Sequence, residues 1–170
     1  MIRECKPSDK PVIFLIINEA ATAYKGIIPA DRYHEPYMPM DELEKEMADG
    51  VNFFGYEENS VLIGVMGIQD KGEVCLIRHA YVRTQHRNLG IGKKLLKFIK
   101  EQTEKPILIG TWADTDWAIG FYSKNGFKLL DKIEKDRLLK KYWNLPQIQV
   151  ETSVVLADNR RAKAKALDSS

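Results

Sequence analysis

The segment HAYVRTQHRNLGIGKKLLKFIK, residues 79–100, changes from a strand pattern to an amphipathic helix pattern across a loop with two glycines. A glycine in a helix costs up to about 1 kcal/mol relative to alanine, so glycines at a helix start need a reason. The first turn of a helix has unpaired N–H groups and the positive end of the helix dipole. Without side chains at Gly90 and Gly92, a phosphate or pyrophosphate can approach those donors closely, with Lys93 and Lys94 at the rim. The alternative is that the glycines merely allow a tight turn.

Hydrophobic periodicity predicts an α+β chain, or mixed α/β with one crossover. Ser8 is the predicted N-cap of the first helix, which continues to about Lys25 with Pro11 in its first turn. The further helices are predicted at 40–50, 89–103, 115–126 and from 134 to just before Pro146. Strands are predicted at 2–5, 52–58, 61–70, 73–82, 105–113, 127–131 and 147–156, with a hairpin turn at Asn59-Ser60.

Length and composition fit one globular domain, predicted over residues 1–156, followed by a charged and disordered tail at 157–170. A net charge of +2 is too small to indicate nucleic-acid binding, and no run of 18 apolar residues predicts a membrane span. Cys5 and Cys75 make no disulfide framework, and the histidines are scattered. We therefore expect reduced thiols, no metal and a cytoplasmic location.

The glycine loop departs from two common phosphate-binding motifs. A dinucleotide fingerprint needs a third glycine at position 95, which is Leu95. A P-loop needs glycine at position 87 and serine or threonine at position 94, which are Arg87 and Lys94. These mismatches count against an unrelated nucleotide-binding protein. What remains is R-x-x-G-x-G, formed by Arg87, Gly90 and Gly92.

This loop, together with TWADTDWAIGFYSKNGF at residues 111–127 and the order of the strands, resembles the GNAT superfamily of N-acetyltransferases. AYKGIIP, after the first helix, is similar to an acceptor-side loop of some members. The resemblance extends over residues 1–156 and is strongest over 74–130. It implies a central, mixed and mostly antiparallel sheet of about seven strands, splayed at the cofactor cleft and flanked by helices.

The resemblance also implies acetyl-coenzyme A as the cosubstrate. Its pyrophosphate would lie on the loop backbone, and its pantetheine arm would pair with a bulged central strand that splays from the next strand. Thr115 stands where many relatives have an asparagine that contacts this arm, so that contact is expected to be weakened or replaced. The cofactor-binding residues so implied are Ala80, Tyr81, Val82, Arg87, Asn88, Leu89, Gly90, Ile91, Gly92, Lys93, Thr115 and Tyr122.

By the same resemblance the acceptor amine attacks the thioester directly, and Tyr122 is the general acid that protonates the departing thiolate. The alternative for Tyr122 is an amphipathic helix residue with a solvated hydroxyl. His79 is the predicted general base, since an imidazole titrates in a suitable range. A buried structural role for His79 stays open. Relatives place their base on the central strand or the next one, where this chain also has Leu76, Arg78 and Gly110; Glu35, Asp114, Asp116 and an ordered water are further candidates.

The region after the first helix lines the acceptor groove in this fold. Aromatic and polar side chains predict a wall suited to a small amine, a peptide N-terminus or a lysine, formed by Tyr24, Tyr33, His34, Glu35, Tyr37 and Met38. Trp112 and Trp117 are expected opposite. Arg78, a charge within an apolar strand, is predicted to clamp an acceptor carboxylate or to pair with Glu73 or Asp116. The alternative for the aromatic residues is packing against the core.

The sequence therefore predicts an acyl-coenzyme A-dependent N-acetyltransferase that acts on a primary amine, with a homodimer as a possible assembly. The alternative function is a non-catalytic acyl-coenzyme A sensor with the same phosphate loop and no competent acid or base. Neither nucleic acid nor membrane is an expected partner, and the basic stretch NRRAKAKA is interpreted as a solubilising tail.

Overall fold

The computed structural model describes residues 1–161 and consists of two compact units. The first unit comprises Met1–Asp70 and Ile77–Thr103, and the second comprises Lys71–Leu76 and the residues from Glu104 onward. Among the described residues, no helix has both the length and the apolar composition that crossing a membrane requires. Each unit is described in turn.

The first unit contains strands β1 (Ile2–Glu4), β2 (Val51–Glu58) and β3 (Val61–Asp70), most of β4 (Cys75–Val82), and helices α1 (Lys10–Ala21), α2 (Met40–Ala48) and α3 (Ile91–Glu101). Its strands are hydrogen-bonded in the order β1-β2-β3-β4, and the β1–β2 and β2–β3 pairs are antiparallel. The predicted hairpin turn is confirmed: Asn59 and Ser60 both have positive φ, 51° and 65°, as a two-residue hairpin turn requires.

The core of the first unit lies where α1 and α2 pack on this sheet. Isoleucines at helical spacing on α1 supply one side of it, and Leu43 of α2 adds to them. The buried members are Ile13, Ile16, Ile17, Met38, Leu43, Val51, Phe53, Leu62 and Val65. Met38 is 3% exposed, so it is a core residue and not the wall residue that the sequence predicted.

The second unit contains the first two residues of β4 together with β5 (Ile107–Trp112), α4 (Asp116–Lys124), β6 (Phe127–Leu129), α5 (Lys132–Tyr142), α6 (Gln147–Glu151) and β7 (Ser153–Asp158). Its strand order is β4-β5-β7-β6, with β7 antiparallel to both of its neighbours. With β4 common to both units, the described residues form seven strands, which confirms the α+β class and the predicted strand number.

The strand predicted over 147–156 is wrong in its first half. Pro146 is the N-cap of α6, and its carbonyl accepts hydrogen bonds from the N–H groups of Gln149 (3.0 Å) and Val150 (3.1 Å). The residues that alternate between polar and apolar form one helical turn, which buries Val150 and exposes Ile148. The strand begins only at Ser153.

The last strand continues two residues past its predicted end at residue 156. β7 extends to Asp158, and both Ala157 and Asp158 are buried. The Asp158 carboxylate accepts a hydrogen bond from the N–H of Ile107 (3.2 Å), which ties the end of β7 to the start of β5. The remainder of the predicted tail, residues 162–170, lies outside the described residues.

The first helix also differs from the prediction at both ends. A 3-10 turn, Pro7–Asp9, precedes it, so its N-cap is Asp9 and not Ser8, with Pro11 in the first turn as predicted. The Asp9 carboxylate accepts the N–H of Lys6 (2.6 Å) and pairs with Arg3 (2.8 Å), which fixes the start of the helix. The helix ends at Ala21, and a 3-10 turn continues to Tyr24.

Candidate active site

The loop between β4 and α3 contains backbone conformations that only certain residue types adopt readily. After a 3-10 turn at Thr84–His86, Asn88 and Gly90 are both in the left-handed region, with φ of 63° and 80°. Asparagine and glycine are the residues that reach this region at least cost. A Cβ placed on Gly90, the N-cap of α3, would have no neighbour within 4 Å. Glycine is thus required here for its backbone conformation, and the space beside it is open to a ligand.

The same loop is held by the end of α1. The Glu19 carboxylate accepts the N–H of Thr84 (3.1 Å) and the guanidinium of Arg83 (3.4 Å). The Arg87 guanidinium donates to the carbonyl of Ala20 (3.2 Å). The Arg87 side chain therefore points to α1, and its backbone is the part available for the predicted cofactor contact.

The first turn of α3 has the electrostatics of an anion site. Helical hydrogen bonding begins with the N–H of Lys94, which donates to the carbonyl of Gly90 (3.1 Å). The N–H groups of Ile91, Gly92 and Lys93 precede it, where a helix has no carbonyl to pair with them. Lys93 and Lys94 add positive charge at the positive end of the helix dipole, which is unfavourable until an anion binds.

Strand β4 is irregular at His79. This residue has a φ of 58°, in the left-handed region, within an otherwise extended strand. Consecutive residues of a regular strand point to opposite faces, yet Arg78 and His79 both contact Glu46 of α2. The Arg78 guanidinium donates to Glu46 Oε1 (2.6 Å), and His79 Nε2 contacts Glu46 Oε2. The neighbouring Gly67 of β3 makes room, because a Cβ there would lie 2.7 Å from the Arg78 carbonyl.

Glu46 is the residue that sequence reasoning missed. Its side chain is only 15% exposed. Burial acts to raise the pKa of the Glu46 carboxyl, but its interactions with His79 and Arg78 outweigh burial and lower that pKa below its usual value. The carboxylate is therefore ionised at neutral pH. A signal was present: Leu43, Glu46 and Met47 are spaced i, i+3, i+4, which puts a charge on the apolar face of α2.

The partners predicted for Arg78 need correction. Besides Glu46, its guanidinium donates to the side chain of Gln69 (3.1 Å). Gln69 is buried, and its own amide donates to the carbonyl of Asp49 (3.0 Å). Glu73 instead accepts from Lys141 (3.0 Å) and from the hydroxyl of Tyr142 (2.6 Å), so it is not the partner of Arg78. A clamp of Arg78 on an acceptor carboxylate stays a prediction.

Three predicted acceptor-side tyrosines, Tyr24, Tyr33 and Tyr37, lie together with Tyr81, which was predicted to bind the cofactor; we call these four the tyrosine cluster. The hydroxyls of Tyr24 and Tyr81 are 3.2 Å apart, and the ring centroids of Tyr24 and Tyr37 are 5.2 Å apart. Tyr33 stacks on Tyr37 at 6.3 Å. Burial raises the pKa of Tyr24, which keeps its hydroxyl protonated.

Other predicted site residues adjoin this cluster. The His79 ring lies nearly parallel to the Tyr81 ring at 6.4 Å and to Phe53 at 6.3 Å. The hydroxyl of Tyr33 donates to Glu35 Oε1 (3.0 Å). The first unit thus brings together the candidate base His79 and the predicted acceptor residues Tyr24, Tyr33 and Glu35, with Glu46 added to them.

The second unit contains the remaining candidates. Tyr122 of α4 is 6% exposed and packs edge-on against Phe121 (5.0 Å) and Phe127 (5.6 Å), so it is not the solvated helix residue of the alternative interpretation. Thr115, the N-cap residue of α4, is fully buried, and its hydroxyl donates to the carbonyl of Trp112 (2.7 Å). Trp112 is buried as well. The contacts of Thr115 and Trp112 with a ligand stay predictions.

Within residues 1–161, no group of three or more His, Cys, Asp or Glu side chains is arranged to hold a metal ion. The described residues offer a helix N-terminus open to an anion, an imidazole paired with an ionised carboxylate, and tyrosine hydroxyls.

Comparison with known proteins gives a family match for the middle of the chain. Residues 49–129 match the family model described as an acetyltransferase (GNAT) domain. The peptidyl-lysine N-acetyltransferase YiaC of Escherichia coli (strain K12) is 26% identical over 152 residues, which are 89% of this chain and 99% of that protein.

Solved structures share the fold. The PaiA N-acetyltransferase of Thermoplasma acidophilum, crystallised in complex with coenzyme A, has a TM-score of 0.71 at 19% identity, covering 93% of this chain and 97% of that one. A GNAT-family acetyltransferase of Staphylococcus aureus Mu50 has a TM-score of 0.71 at 23% identity, covering 94% and 98%. The matched segment contains β4, the glycine loop and α4, the parts on which the resemblance was based. Residues 49–129 thus match a GNAT acetyltransferase domain, and the solved structures share the fold over nearly the whole chain.

Proposed function

We propose that the protein is an N-acetyltransferase that takes the acetyl group from acetyl-coenzyme A and transfers it to the amine of a lysine side chain. The observation that carries this proposal is the first turn of α3, whose unpaired N–H groups can bind an anion. This turn lies within the segment that matches the family model. Asn88 and Gly90 are left-handed, the space beside Gly90 is open, and Lys93 and Lys94 lie in the first turn of α3. A helix N-terminus of this kind suits a phosphate or diphosphate.

The cosubstrate would be held by backbone groups. The N–H groups from Arg87 to Lys93 bind the pyrophosphate, and the edge of β4 at Ala80–Val82 pairs with the amides of the pantetheine arm. Two features support this assignment. The Arg87 side chain is already engaged with α1, and His79 interrupts the regular strand immediately before Ala80.

The reaction needs no covalent intermediate on the protein. The neutral amine nitrogen attacks the thioester carbon, the new C–N bond forms, and the C–S bond then breaks to release the thiolate of coenzyme A. Orientation of the two substrates and placement of proton donors and acceptors supply the rate enhancement. His79 accepts the proton from the acceptor ammonium, and Tyr122, in the role that the resemblance assigns to it, gives a proton to the thiolate. The second proton that the nitrogen loses, as the amide forms, then restores the Tyr122 hydroxyl.

A lysine acceptor is favoured by two observations. The one curated relative described above acts on peptidyl lysine by its name. In addition, the tyrosine cluster presents aromatic faces beside His79, and aromatic faces attract the cationic chain of lysine. A peptide N-terminus is the second candidate, because the same rings would also accept an α-ammonium group.

The first experiment measures thiol release from acetyl-coenzyme A with a panel of amines. The panel contains an Nα-acetylated peptide with one lysine, a lysine-free peptide with a free N-terminus, and a simple polyamine. Release with the lysine peptide, and acetyllysine in its mass spectrum, would support the proposal. Release only with the free N-terminus would replace the acceptor class. No release with any amine would favour the non-catalytic sensor.

Cofactor choice is tested separately. A ligand that binds only the native state raises the melting temperature, so acetyl-coenzyme A, coenzyme A, NAD and ATP are added one at a time. We expect a shift with the two coenzyme A species. A shift with NAD or ATP alone would contradict the assignment of the α3 turn to coenzyme A.

A further inference from the structure

We propose that Glu46 is a positioning residue that holds the His79 imidazole with Nδ1 as its proton-accepting nitrogen. The inference rests on the proposed function, and it assigns a role to a residue of α2 that lies 33 positions before its histidine partner.

The carboxylate of Glu46 is held at both oxygens. Oε1 accepts from the Arg78 guanidinium (2.6 Å), which leaves Oε2 for His79 Nε2. Arg78 is itself fixed by Gln69 (3.1 Å), a buried side chain bonded to the carbonyl of Asp49 (3.0 Å). Glu46 is therefore not a surface carboxylate that samples several partners. Its orientation is set by a chain of hydrogen bonds that reaches β3.

The pairing determines which nitrogen of His79 is free. An ionised carboxylate can only accept, so the hydrogen between the two groups belongs to Nε2. A neutral imidazole with Nε2–H has its lone pair on Nδ1. The acceptor ammonium can then transfer its proton to Nδ1 and keep the electron pair with which it attacks. The imidazolium so formed is stabilised by the negative carboxylate at its other nitrogen, as in other carboxylate–histidine pairs.

The backbone gives a second argument. A salt bridge between α2 and β4 would require only Arg78, which points to Glu46 by itself. The chain nevertheless adopts a left-handed conformation at His79, which is strained for a histidine, and thereby brings the imidazole to the same carboxylate. Strain of this kind persists where surrounding groups maintain it, and Gly67 and the stacking on Phe53 and Tyr81 do so here.

Other charged and titratable groups lie near the Glu46–His79 pair. Glu42 lies one turn before Glu46 on α2, and its pKa is raised by burial and by the negative charge of Glu46. Arg78 faces the pair from β4, and His34 acts electrostatically on Glu42 from the loop before α2. Tyr81 contacts the imidazole from β4.

The kinetic test uses Glu46→Gln, with Glu44→Gln as the matched control. Both changes lie on α2 and remove one negative charge, but Glu44 pairs only with the surface Lys10 (3.1 Å) among the contacts described. For Glu46→Gln we expect kcat to fall about 10-fold or more, with the KM for acetyl-coenzyme A unchanged. Glu44→Gln should change neither kcat nor KM. A Glu46→Gln enzyme with normal kcat, or with a reduced kcat accompanied by a raised KM for acetyl-coenzyme A, would overturn the proposal.

A spectroscopic test needs no variant and so does not depend on whether Glu46→Gln folds. In the unmutated protein labelled with ¹⁵N-histidine, the nitrogen shifts of neutral His79 report its tautomer. We expect hydrogen on Nε2, and hydrogen on Nδ1 would refute the assignment. If the unmutated protein releases no thiol with any amine, the proposed function fails, whereas this measurement still reads the Glu46–His79 pairing.

Discussion

Strand β4 and the paired strands β5 and β7 are all central strands, but their backbone geometry differs. β5 and β7 pair in unbroken antiparallel register from Leu108↔Ala157 to Trp112↔Ser153, and Leu108 and Val155 are fully buried. β4 instead contains a left-handed histidine beside an arginine, and both side chains contact one carboxylate. The β5–β7 pair buries apolar side chains. In β4 the regular strand geometry is interrupted, and polar side chains are directed to one carboxylate.

This comparison indicates which part of the fold holds the polar groups of the candidate site. A regular ladder sends alternate side chains to opposite faces, so two neighbouring residues cannot share a partner. The break at His79 allows it, and the groups around the break keep it in place. Changes in the ladder should therefore act on stability, and changes around β4 should act on catalysis. Substitutions in the two regions test that separation.

In the ladder, Leu108→Ala is expected to lower the free energy of unfolding by about 2–5 kcal/mol, because it leaves a cavity in a fully buried core position. The measurement is urea unfolding, with Leu129→Ala as the control, since that side chain on β6 is 47% exposed. We expect the folded Leu108→Ala protein to keep its kcat at low temperature. A large loss of kcat without a loss of stability would break the proposed separation.

Around β4, Gly67→Ala is expected to cost about 1–3 kcal/mol of stability and to reduce kcat as well. The added methyl group would lie 2.7 Å from the Arg78 carbonyl and 2.9 Å from Val51, so the strand must shift where His79 is attached. Gly120→Ala is the matched control for stability, because a Cβ on that helical residue of α4 has no neighbour within 4 Å. Unchanged kcat in Gly67→Ala would show that the β4 geometry tolerates displacement.

At the start of α3, Gly90→Ala is expected to cost about 1–2 kcal/mol, since the left-handed conformation at φ 80° is strained for alanine. We expect a weaker affinity for coenzyme A, measured by calorimetry, with the kcat at saturation largely retained. An affinity equal to that of the unmutated protein would remove the α3 turn from cofactor binding.

The smallest effect concerns acid stability. The pKa of Glu46 is lower in the folded protein than in the unfolded chain. The stabilisation from its ion pairs is therefore fully present at pH values above the unfolded-state pKa. It is lost as the pH falls through the folded-state pKa. Below about pH 4.5, Glu46→Gln should therefore lose less stability than the unmutated protein, by about 1 kcal/mol. Unfolding by urea at several pH values measures the difference. Parallel pH curves for the two proteins would contradict it.

Much of the fold could be predicted from the sequence, because its signals are local. The period of α3, the Asn59-Ser60 turn and the glycines of the loop each lie within one short stretch of chain. The α6 turn was missed since five residues that alternate in polarity fit a strand as well as one helical turn, and the carbonyl of Pro146 decided between them.

The candidate site was predicted only in part. His79 and Arg78 were selected for their chemistry, but their faces depended on a left-handed residue that no periodicity reveals. The partner of both, Glu46, lies 32 and 33 residues away on the predicted helix at 40–50, and the sequence analysis did not select it. A contact of that range follows from tertiary packing and not from local pattern. The charge on the apolar face of α2 was the one available clue.

Gly110 of β5 has an evolutionary consequence. It stands at a strand position that was considered for the general base, and Trp143 lies over it: a Cβ there would be 3.3 Å from the indole ring, and 3.5 Å from Leu139. A carboxylate cannot be introduced at this position by one substitution without displacing the tryptophan, so replacing the proposed base on β4 by one here would need at least two coordinated changes. The packing of one tryptophan thereby restricts the routes by which the proposed proton acceptor could be exchanged.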